Sequence, residues 1–222
     1  MSLRNIDWRK FAPLALMLVF PFLGLMYQWI NKPDQEVYML VTALDRATPF
    51  VKFFAAPYAV WIFYIYVCLV YFFRKNITVY YRGLLTYIVC ALTCYLIYSV
   101  FQTTVPRPLV TVDDPFTWLV SYIYNRDLPF NCFPSIHCFS SYMVMRLVWT
   151  SSFRNKWNVT LITTMSTLII LSTLFVKQHV ILDAVAGILL VEVWLAVMML
   201  IEVSVRESRA RQHRQEKRTY GA

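Results

Sequence analysis

Two ionisable residues in the C-terminal part of the chain have the spacing of a catalytic pair. His179 and Asp183 lie four residues apart at the start of an apolar segment, so a helix would present both side chains on one face. The carboxylate could then accept a hydrogen bond from one imidazole nitrogen, which leaves the other nitrogen as a nucleophile or base. Taken alone, such a pair more often only stabilises the start of a helix, so its chemistry depends on what lies nearby.

A second group of polar residues occupies positions 131–137, with the sequence NCFPSIH. Proline is favoured in the first turn of a helix, so Pro134 predicts a helix that starts here. The exposed N–H groups of Ser135, Ile136 and His137 would form a small anion site, strengthened by the helix dipole. The Ser135 hydroxyl adds a donor, and His137 could protonate a departing oxygen. A capped helix start without any ligand is the alternative interpretation.

The third group is a single cation between two prolines. Pro106 and Pro108 stiffen the backbone around Arg107, whose guanidinium could bind a phosphate with two parallel hydrogen bonds. An arginine in a loop is usually only solvated, so this signal is weak by itself. Together, an anion site, a second cation, an acid and an oriented nucleophile describe phosphoryl transfer through a covalent intermediate, with charge stabilisation supplying most of the catalysis.

Helices that cross a membrane have to bring these groups together. The chain has 222 residues, of which 59% are hydrophobic and only 15% are charged. The apolar residues form blocks long enough for a helix to cross a hydrocarbon core about 30 Å thick. We therefore predict one all-α domain over residues 1–222, a polytopic membrane protein with six transmembrane helices. The predicted spans are 11–30, 51–73, 84–101, 133–150, 157–176 and 180–203.

The distribution of positive charge predicts the orientation of these spans. The net charge is +9, and fourteen of the cations would lie on one side of the membrane, many of them in the basic tail 204–222. The opposite side would hold six: Lys32, Arg46, Lys52, Arg107, Arg126 and Lys177. The positive-inside rule then places both termini in the cytoplasm, as an even number of spans requires. The charge is thus explained by topology and by contact with anionic lipid headgroups, and no nucleic-acid partner is expected.

The three groups also match the motifs of a known family. The chain resembles the type-2 phosphatidic acid phosphatases, a branch of the group that includes the vanadium haloperoxidases. That family has the motifs Lys-x6-Arg-Pro, Pro-Ser-Gly-His and Ser-Arg-x5-His-x3-Asp. Here they read Val100-x6-Arg107-Pro108, Pro134-Ser135-Ile136-His137 and Ser172-Thr173-x5-His179-x3-Asp183. Their order and spacing agree with the family, and the likeness covers nearly the whole chain.

The resemblance implies a role for each matched residue. His179 would attack phosphorus, Asp183 would orient it, and His137 would protonate the leaving alkoxide. The phosphate oxygens would be held by Arg107, Ser135 and the backbone around Ile136. Family members generally need no metal or other cofactor, and the sequence has no acidic or Cys/His cluster spaced for a metal.

Three positions depart from the family motifs, and at one of them Ile136 replaces the glycine of the second motif. The lysine of the first motif is Val100, and the arginine of the third is Thr173, so two of the three phosphate-binding cations are missing. Lys177 could supply one charge, and Gln102 could donate a neutral hydrogen bond. The Pro-Ser-Ile-His form of the second motif and the lost arginine of the third are similar to the inositol-phosphoryl-ceramide synthase branch, whose members transfer the phosphoryl unit to an alcohol instead of water.

The expected function is removal of the terminal phosphate from a membrane lipid through a phosphohistidine on His179. Phosphatidic acid, phosphatidylglycerol phosphate and polyprenyl pyrophosphate all fit, and the expected location is the extracytoplasmic face of the plasma membrane. Transfer to an alcohol is the first alternative. A non-enzymatic lipid carrier or small transporter is the second. The sequence assigns no oligomeric state.

Two further expectations concern structure. Arg146 and Glu192 would lie at similar depths, roughly 16 and 18 Å from the same face at 1.5 Å per residue, so we predict an ion pair between the fourth and sixth spans. A proton-relay role for Glu192 is the alternative. Apolar residues at helical spacing in 36–49 predict a short helix on the outer surface.

Overall fold

The chain folds into a bundle of long apolar helices joined by short helices and one small sheet. The structure, a computed structural model, describes the backbone of residues 8–33 and 36–220. A 3₁₀ helix at Trp8–Leu18 precedes the first α-helix, and a 3₁₀ turn at Lys52–Phe54 precedes the third. The α-helices are α1 (Val19–Ile30), α2 (Ala43–Ala47), α3 (Ala55–Ala59), α4 (Trp61–Lys75), α5 (Ile77–Val100), α6 (Pro115–Arg126), α7 (Ile136–Thr150), α8 (Lys156–Phe175) and α9 (Ile181–Tyr220).

The helices confirm the predicted class, an all-α polytopic membrane protein. Within the described residues, five helical segments are long and apolar enough to cross a membrane: Arg9–Ile30, Lys52–Lys75, Ile77–Val100, Lys156–Phe175 and Ile181–Gln212. The predicted fourth span, 133–150, corresponds to α7, which has only 15 residues and a length of about 22 Å. The count of six passes and the cytoplasmic termini remain predictions.

Helix α7 lies at the centre of the bundle, in contact with α4, α5, α8 and α9. Most of its side chains are buried, which explains why its sequence is more polar than that of the other spans. Trp61 donates a hydrogen bond to Ser140 Oγ at 2.7 Å. The predicted Arg146–Glu192 pair is confirmed: Arg146 Nε lies 2.8 Å from Glu192 Oε1. The Tyr142 hydroxyl donates to the same oxygen at 2.5 Å, so the carboxylate is held from two directions.

Residues 36–49 differ from the predicted surface helix. Only the second half is helical, as α2, whereas Val37–Met39 form strand β1 and pair in parallel with strand β2, Gln102–Thr104. The strands form because each supplies the backbone partners that the other lacks. Thr103 also forms a bridge to Asn131, and its hydroxyl accepts a hydrogen bond from the Phe133 N–H at 2.9 Å. The small sheet thereby holds the segment that leads into α7.

Helices α7 and α9 approach closely at Gly187. A Cβ added at this position would lie 2.8 Å from the carbonyl oxygen of Ser135 and 3.1 Å from the backbone nitrogen of Phe139. The missing side chain lets the Ser135 N–H donate to the carbonyl oxygen of Asp183 at 3.0 Å. Glycine at 187 is therefore what allows the first turns of the two helices to touch.

We expect Gly187→Ala to lower the stability of the protein by about 1–3 kcal/mol, because the new methyl group has to displace backbone atoms. This loss should appear although alanine is intrinsically the better helix former, by about 1 kcal/mol. Thermal unfolding in detergent measures the change. Gly24→Ala is the matched control, since an added Cβ there meets nothing within 4 Å. Equal unfolding temperatures for the two variants would show that the close approach is unimportant.

Candidate functional site

His179 lies in the turn between α8 and α9 and is held through one ring nitrogen. Its Nδ1 atom is 3.0 Å from the carbonyl oxygen of Cys132 and 3.3 Å from Asp183 Oδ2. Asp183 Oδ2 also accepts the Val180 N–H at 2.9 Å, which fixes the carboxylate at the start of α9. Because both neighbours of Nδ1 are acceptors, Nδ1 carries the proton and Nε2 keeps the lone pair. A neutral imidazole held in this way can act as a nucleophile.

His137 lies in the first turn of α7, beside His179. The ring centroids of the two imidazoles are 5.7 Å apart. The His137 ring stacks on Tyr58 at 4.4 Å and lies 4.0 Å from the ring of Trp61. Its Nδ1 atom is buried and has no hydrogen-bond partner among the described residues. The structure therefore brings the two predicted histidines to the same end of the bundle, with a polar atom of His137 left for a ligand.

Two cavities meet at His179. The first, called here the loop cavity, has a volume of about 350 Å³. Its polar lining is Asp45, Arg46, Thr48, Arg107, Lys177 and His179. The second, called here the tyrosine cavity, has a volume of about 460 Å³ and reaches from His179 and His137 between the helices to Phe20. His179 lines both, so a group bound at its ring can extend in either direction.

Arg107 lines the loop cavity and is also bound to the protein. Its guanidinium donates to the carbonyl oxygens of Tyr124 at 3.1 Å and Asp127 at 2.6 Å, and to the side-chain oxygen of Gln178. The Tyr124 ring lies under it at 4.5 Å. Three of about five donors are used in this way. Arg107 Nε is buried without a partner in the described part of the chain, so this nitrogen can bind a phosphate oxygen.

Lys177 also lines the loop cavity, with its ammonium already partly bound. Lys177 Nζ donates to the carbonyl oxygen of Asp45 at 2.9 Å and to that of Thr48. An ammonium has about three donors, so one is left for a ligand. Lys177, the predicted replacement cation, therefore has its charge at the cavity. Its hydrogen bonds also link the turn before His179 to α2.

Ser135 and Gln102 do not line either cavity, and their role as phosphate ligands stays a prediction. Ser135 is fully buried, and its hydroxyl accepts the Cys138 N–H at 3.3 Å, as the N-cap of α7. Gln102 donates to the carbonyl oxygens of Ile30 at 3.3 Å and Lys32 at 2.8 Å. Its Oε1 atom is buried without a hydrogen-bond partner among the described residues.

Ile136 lines the tyrosine cavity, as the first residue of α7. The first N–H groups of a helix have no acceptor within the helix. The backbone around Ile136 therefore presents donors beside His137, as predicted for an anion site. The Ser135 N–H is not one of them, because it donates to the Asp183 carbonyl.

Comparison with protein families identifies the chain. The model of the PAP2 superfamily matches residues 82–206, more than half of the chain and all three motifs. The chain belongs to the PAP2 superfamily. No curated protein and no solved structure matches it. Membership supports a phosphatase or phosphotransferase activity on phosphate esters; it does not confirm the inositol-phosphoryl-ceramide synthase branch.

Two of the cations in the type-2 phosphatase motifs are replaced in this chain, and the replacing residues have different surroundings. Val100 is 71% exposed at the end of α5. Thr173 is fully buried, and its hydroxyl donates to the carbonyl oxygen of Ile170 at 2.7 Å. The Thr173 carbonyl oxygen accepts the N–H groups of Gln178 and His179 at 3.0 and 3.1 Å. In this PAP2 protein, position 173 thus fixes the turn that carries His179, through its backbone and without a cation.

Asp45 is a residue of this site that the sequence analysis missed. Its Oδ1 atom accepts the Ile181 N–H at 2.8 Å, at the start of α9. Its Oδ2 atom accepts the N–H and the hydroxyl of Thr42 at 2.8 and 2.5 Å. Together with the bond from Lys177 to its carbonyl, Asp45 holds both sides of the turn that contains His179. The Thr42-x-x-Asp45 capping box was visible in the sequence, but its contact with residue 181 was not.

His179 and two buried neighbours have side chains that can bind metals. Ligand atoms of Cys132, His179 and Asp183 lie within 4.8 Å of one another. Burial, and then the charge of Asp183, raises the pKa of the Cys132 thiol well above its ordinary value. A cysteine binds a metal as a thiolate, so a metal here would have to displace the proton of a thiol that burial keeps protonated. The three residues lie together because the Cys132 carbonyl and the Asp183 carboxylate orient the His179 ring. The expectation of a metal-free site remains a prediction.

The charge on Asp45 should stabilise the fold in a pH-dependent way. Burial acts to raise the pKa of Asp45, but hydrogen bonds from Thr42 and Ile181, together with the charge of Lys177, lower it overall. A lowered pKa means stability that is present above the unfolded value of about 4 and is lost as pH falls through the folded value. Wild type should therefore unfold at a higher temperature than Asp45→Asn at pH 7, and the difference should shrink towards pH 3.

Thermal unfolding of both proteins between pH 3 and 8 measures this difference. Asp113→Asn, at an exposed aspartate in the segment before α6, is the matched control and should follow wild type throughout. A difference between wild type and Asp45→Asn that stays constant down to pH 3 would contradict a role for the carboxylate charge.

Proposed function

We propose that this protein is a membrane lipid phosphatase that works through a phosphohistidine on His179. The observation that carries the proposal is the hydrogen bonding of His179 Nδ1 to Asp183 and Cys132, which leaves Nε2 as a nucleophile next to a second imidazole. Membership of the PAP2 superfamily supports the same chemistry.

The reaction has two steps. In the first, the lone pair of His179 Nε2 forms a bond to phosphorus, the bond from phosphorus to the alcohol oxygen breaks, and His137 gives its proton to that oxygen. In the second, a water molecule gives a proton to His137 while its oxygen attacks phosphorus. The bond between phosphorus and His179 Nε2 breaks, and inorganic phosphate leaves. Arg107, Lys177 and the N–H groups at the start of α7 stabilise the charge on the phosphate oxygens in both steps.

The substrate is a lipid that carries a terminal phosphate, and no metal or other cofactor takes part. The tyrosine cavity supports this class, since it begins at the two histidines and continues between the helices with an aromatic and aliphatic lining. Phosphatidic acid, phosphatidylglycerol phosphate and polyprenyl pyrophosphate all fit that description. We place the site at the extracytoplasmic face of the plasma membrane, with six spans and both termini in the cytoplasm, because the basic loops and tail predict that orientation.

Transfer of the phosphoryl unit to an alcohol is the second candidate. The two cavities beside His179 favour transfer, because one could hold the lipid and the other an acceptor alcohol. The absence of cations at positions 100 and 173 also favours transfer. Radiolabelled lipid and candidate alcohols distinguish the two reactions, since only transfer makes a new phospholipid.

We expect His179→Ala to abolish phosphate release from lipid phosphates by the purified protein in detergent with a chelator present. The loss should be at least about 1,000-fold, since only binding and charge stabilisation remain. His213→Ala, in the basic tail, is the control and should keep full activity. Wild-type protein stopped during turnover should carry a phosphoryl group on histidine. Full activity in His179→Ala would exclude this mechanism. No turnover of any lipid phosphate by wild type would also exclude it, and would favour a lipid carrier.

His137→Gln should slow the hydrolysis of alkyl phosphates by about 100- to 10,000-fold, the usual contribution of a general acid. In the first turnover, the same variant should release p-nitrophenol with a much smaller loss, because that leaving group departs without a proton. Pre-steady-state release of the alcohol from both substrates tests the assignment, since it reports the first step alone, and His179→Ala is the variant that loses both. Equal losses for both substrates in His137→Gln would show that His137 does not protonate the leaving group.

A further inference from the structure

The tyrosine cavity has a polar end that phosphoryl transfer by the two histidines does not use. Asn131 lines this end and is buried, and neither atom of its side-chain amide has a hydrogen-bond partner in the described part of the chain. A buried amide without a partner is costly, and native proteins rarely keep one without a reason. The two unpaired atoms therefore indicate a ligand that carries both a donor and an acceptor.

The backbone holds Asn131 next to the nucleophile. Residue 131 forms a bridge to Thr103, and the following carbonyl, that of Cys132, accepts the hydrogen bond from His179. The next N–H, that of Phe133, donates to Thr103 Oγ1. This segment is therefore fixed on both sides of Asn131, and the amide lies in the same cavity as His137 and His179.

Asp127 adds a carboxylate to the same cavity. The hydroxyl groups of Tyr27 and Tyr58 donate to its two oxygens at 2.5 and 2.8 Å. Arg126 lines the cavity as well, so the charge of Asp127 is balanced and the cavity has no excess of cations for a phosphate. The Asp127 oxygens accept hydrogen bonds and favour a ligand group that can donate one. Much of the remaining lining is apolar or aromatic, with Phe20, Leu23 and Ile62. The cavity thus suits the alcohol part of a lipid phosphate better than the phosphate itself.

We infer that Asn131 and Asp127 bind a free hydroxyl group on the alcohol part of the substrate, next to the carbon that carries the phosphate. The inference rests on the proposed function and narrows its substrate class. Phosphatidylglycerol phosphate and monoacylglycerol phosphates have such a hydroxyl, whereas phosphatidic acid and polyprenyl pyrophosphate have none. A site built to hydrogen-bond a substrate hydroxyl discriminates strongly against the analogue that lacks it, because its own polar groups are then left unpaired.

A matched pair of substrates tests this subsite. The pair is 1-acylglycerol 3-phosphate and its 2-deoxy analogue, 3-acyloxypropyl phosphate, with the same acyl chain. Wild-type protein should show a kcat/KM about 10- to 100-fold higher for the substrate with the hydroxyl. In Asn131→Leu, a change of similar size, the ratio of kcat/KM for the two substrates should fall to less than about threefold.

The outcomes separate this subsite from the proposed function. Equal kcat/KM for both substrates in wild type would overturn the hydroxyl subsite and leave the phosphatase intact. A preference that persists in Asn131→Leu would overturn the assignment to Asn131. No hydrolysis of either substrate, or of any other lipid phosphate, would overturn both. If Asn131→Leu does not fold, the wild-type comparison still decides for or against the subsite, and Asp127→Asn, which should reduce the preference, tests its second member.

Discussion

The hydrogen bond from the Ser135 N–H to the Asp183 carbonyl oxygen joins the first turns of α7 and α9, and the site depends on it. His137 lies in the first turn of α7, and His179 lies two residues before α9. Together with the bond from His179 to the Cys132 carbonyl, this contact fixes the two imidazoles relative to each other. The bond can form only because Gly187, one turn further along α9, has no side chain to separate the helices.

Much of this arrangement could be predicted from local patterns. The four-residue spacing of His179 and Asp183 predicted their contact, although His179 lies in the turn before α9 and not on the helix. The Arg146–Glu192 pair could be predicted because an unpaired charge inside a membrane is so unfavourable that matching depths are informative. Both inferences use constraints that act over a few residues of chain or along one membrane axis. Such constraints can be read from a single sequence.

The contacts that the sequence did not indicate join distant segments. Gln102, a predicted phosphate ligand, donates to carbonyl oxygens at and just after the end of α1, about 70 residues away in the chain. Asp45 reaches the start of α9, which no local pattern indicates. Helix α6 was also missed, although Asp114 and Pro115 form a recognisable helix start. Its 12 residues are too few to cross a membrane, so its apolar residues give no signal of membrane length.

The placement of charge on the two sides of His179 gives the proposed reaction a direction. The loop cavity holds three cations, Arg46, Arg107 and Lys177, and one carboxylate, Asp45, whose oxygens are already bound to N–H and hydroxyl groups. The tyrosine cavity holds one cation, Arg126, and one carboxylate, Asp127, so it has no excess of positive charge. A phosphoryl group at His179 is therefore drawn towards the loop cavity and the alcohol towards the tyrosine cavity, where His137 lies. Because donors fixed before the reaction need no reorganisation, this asymmetry can partly compensate for the two cations that the motifs lack.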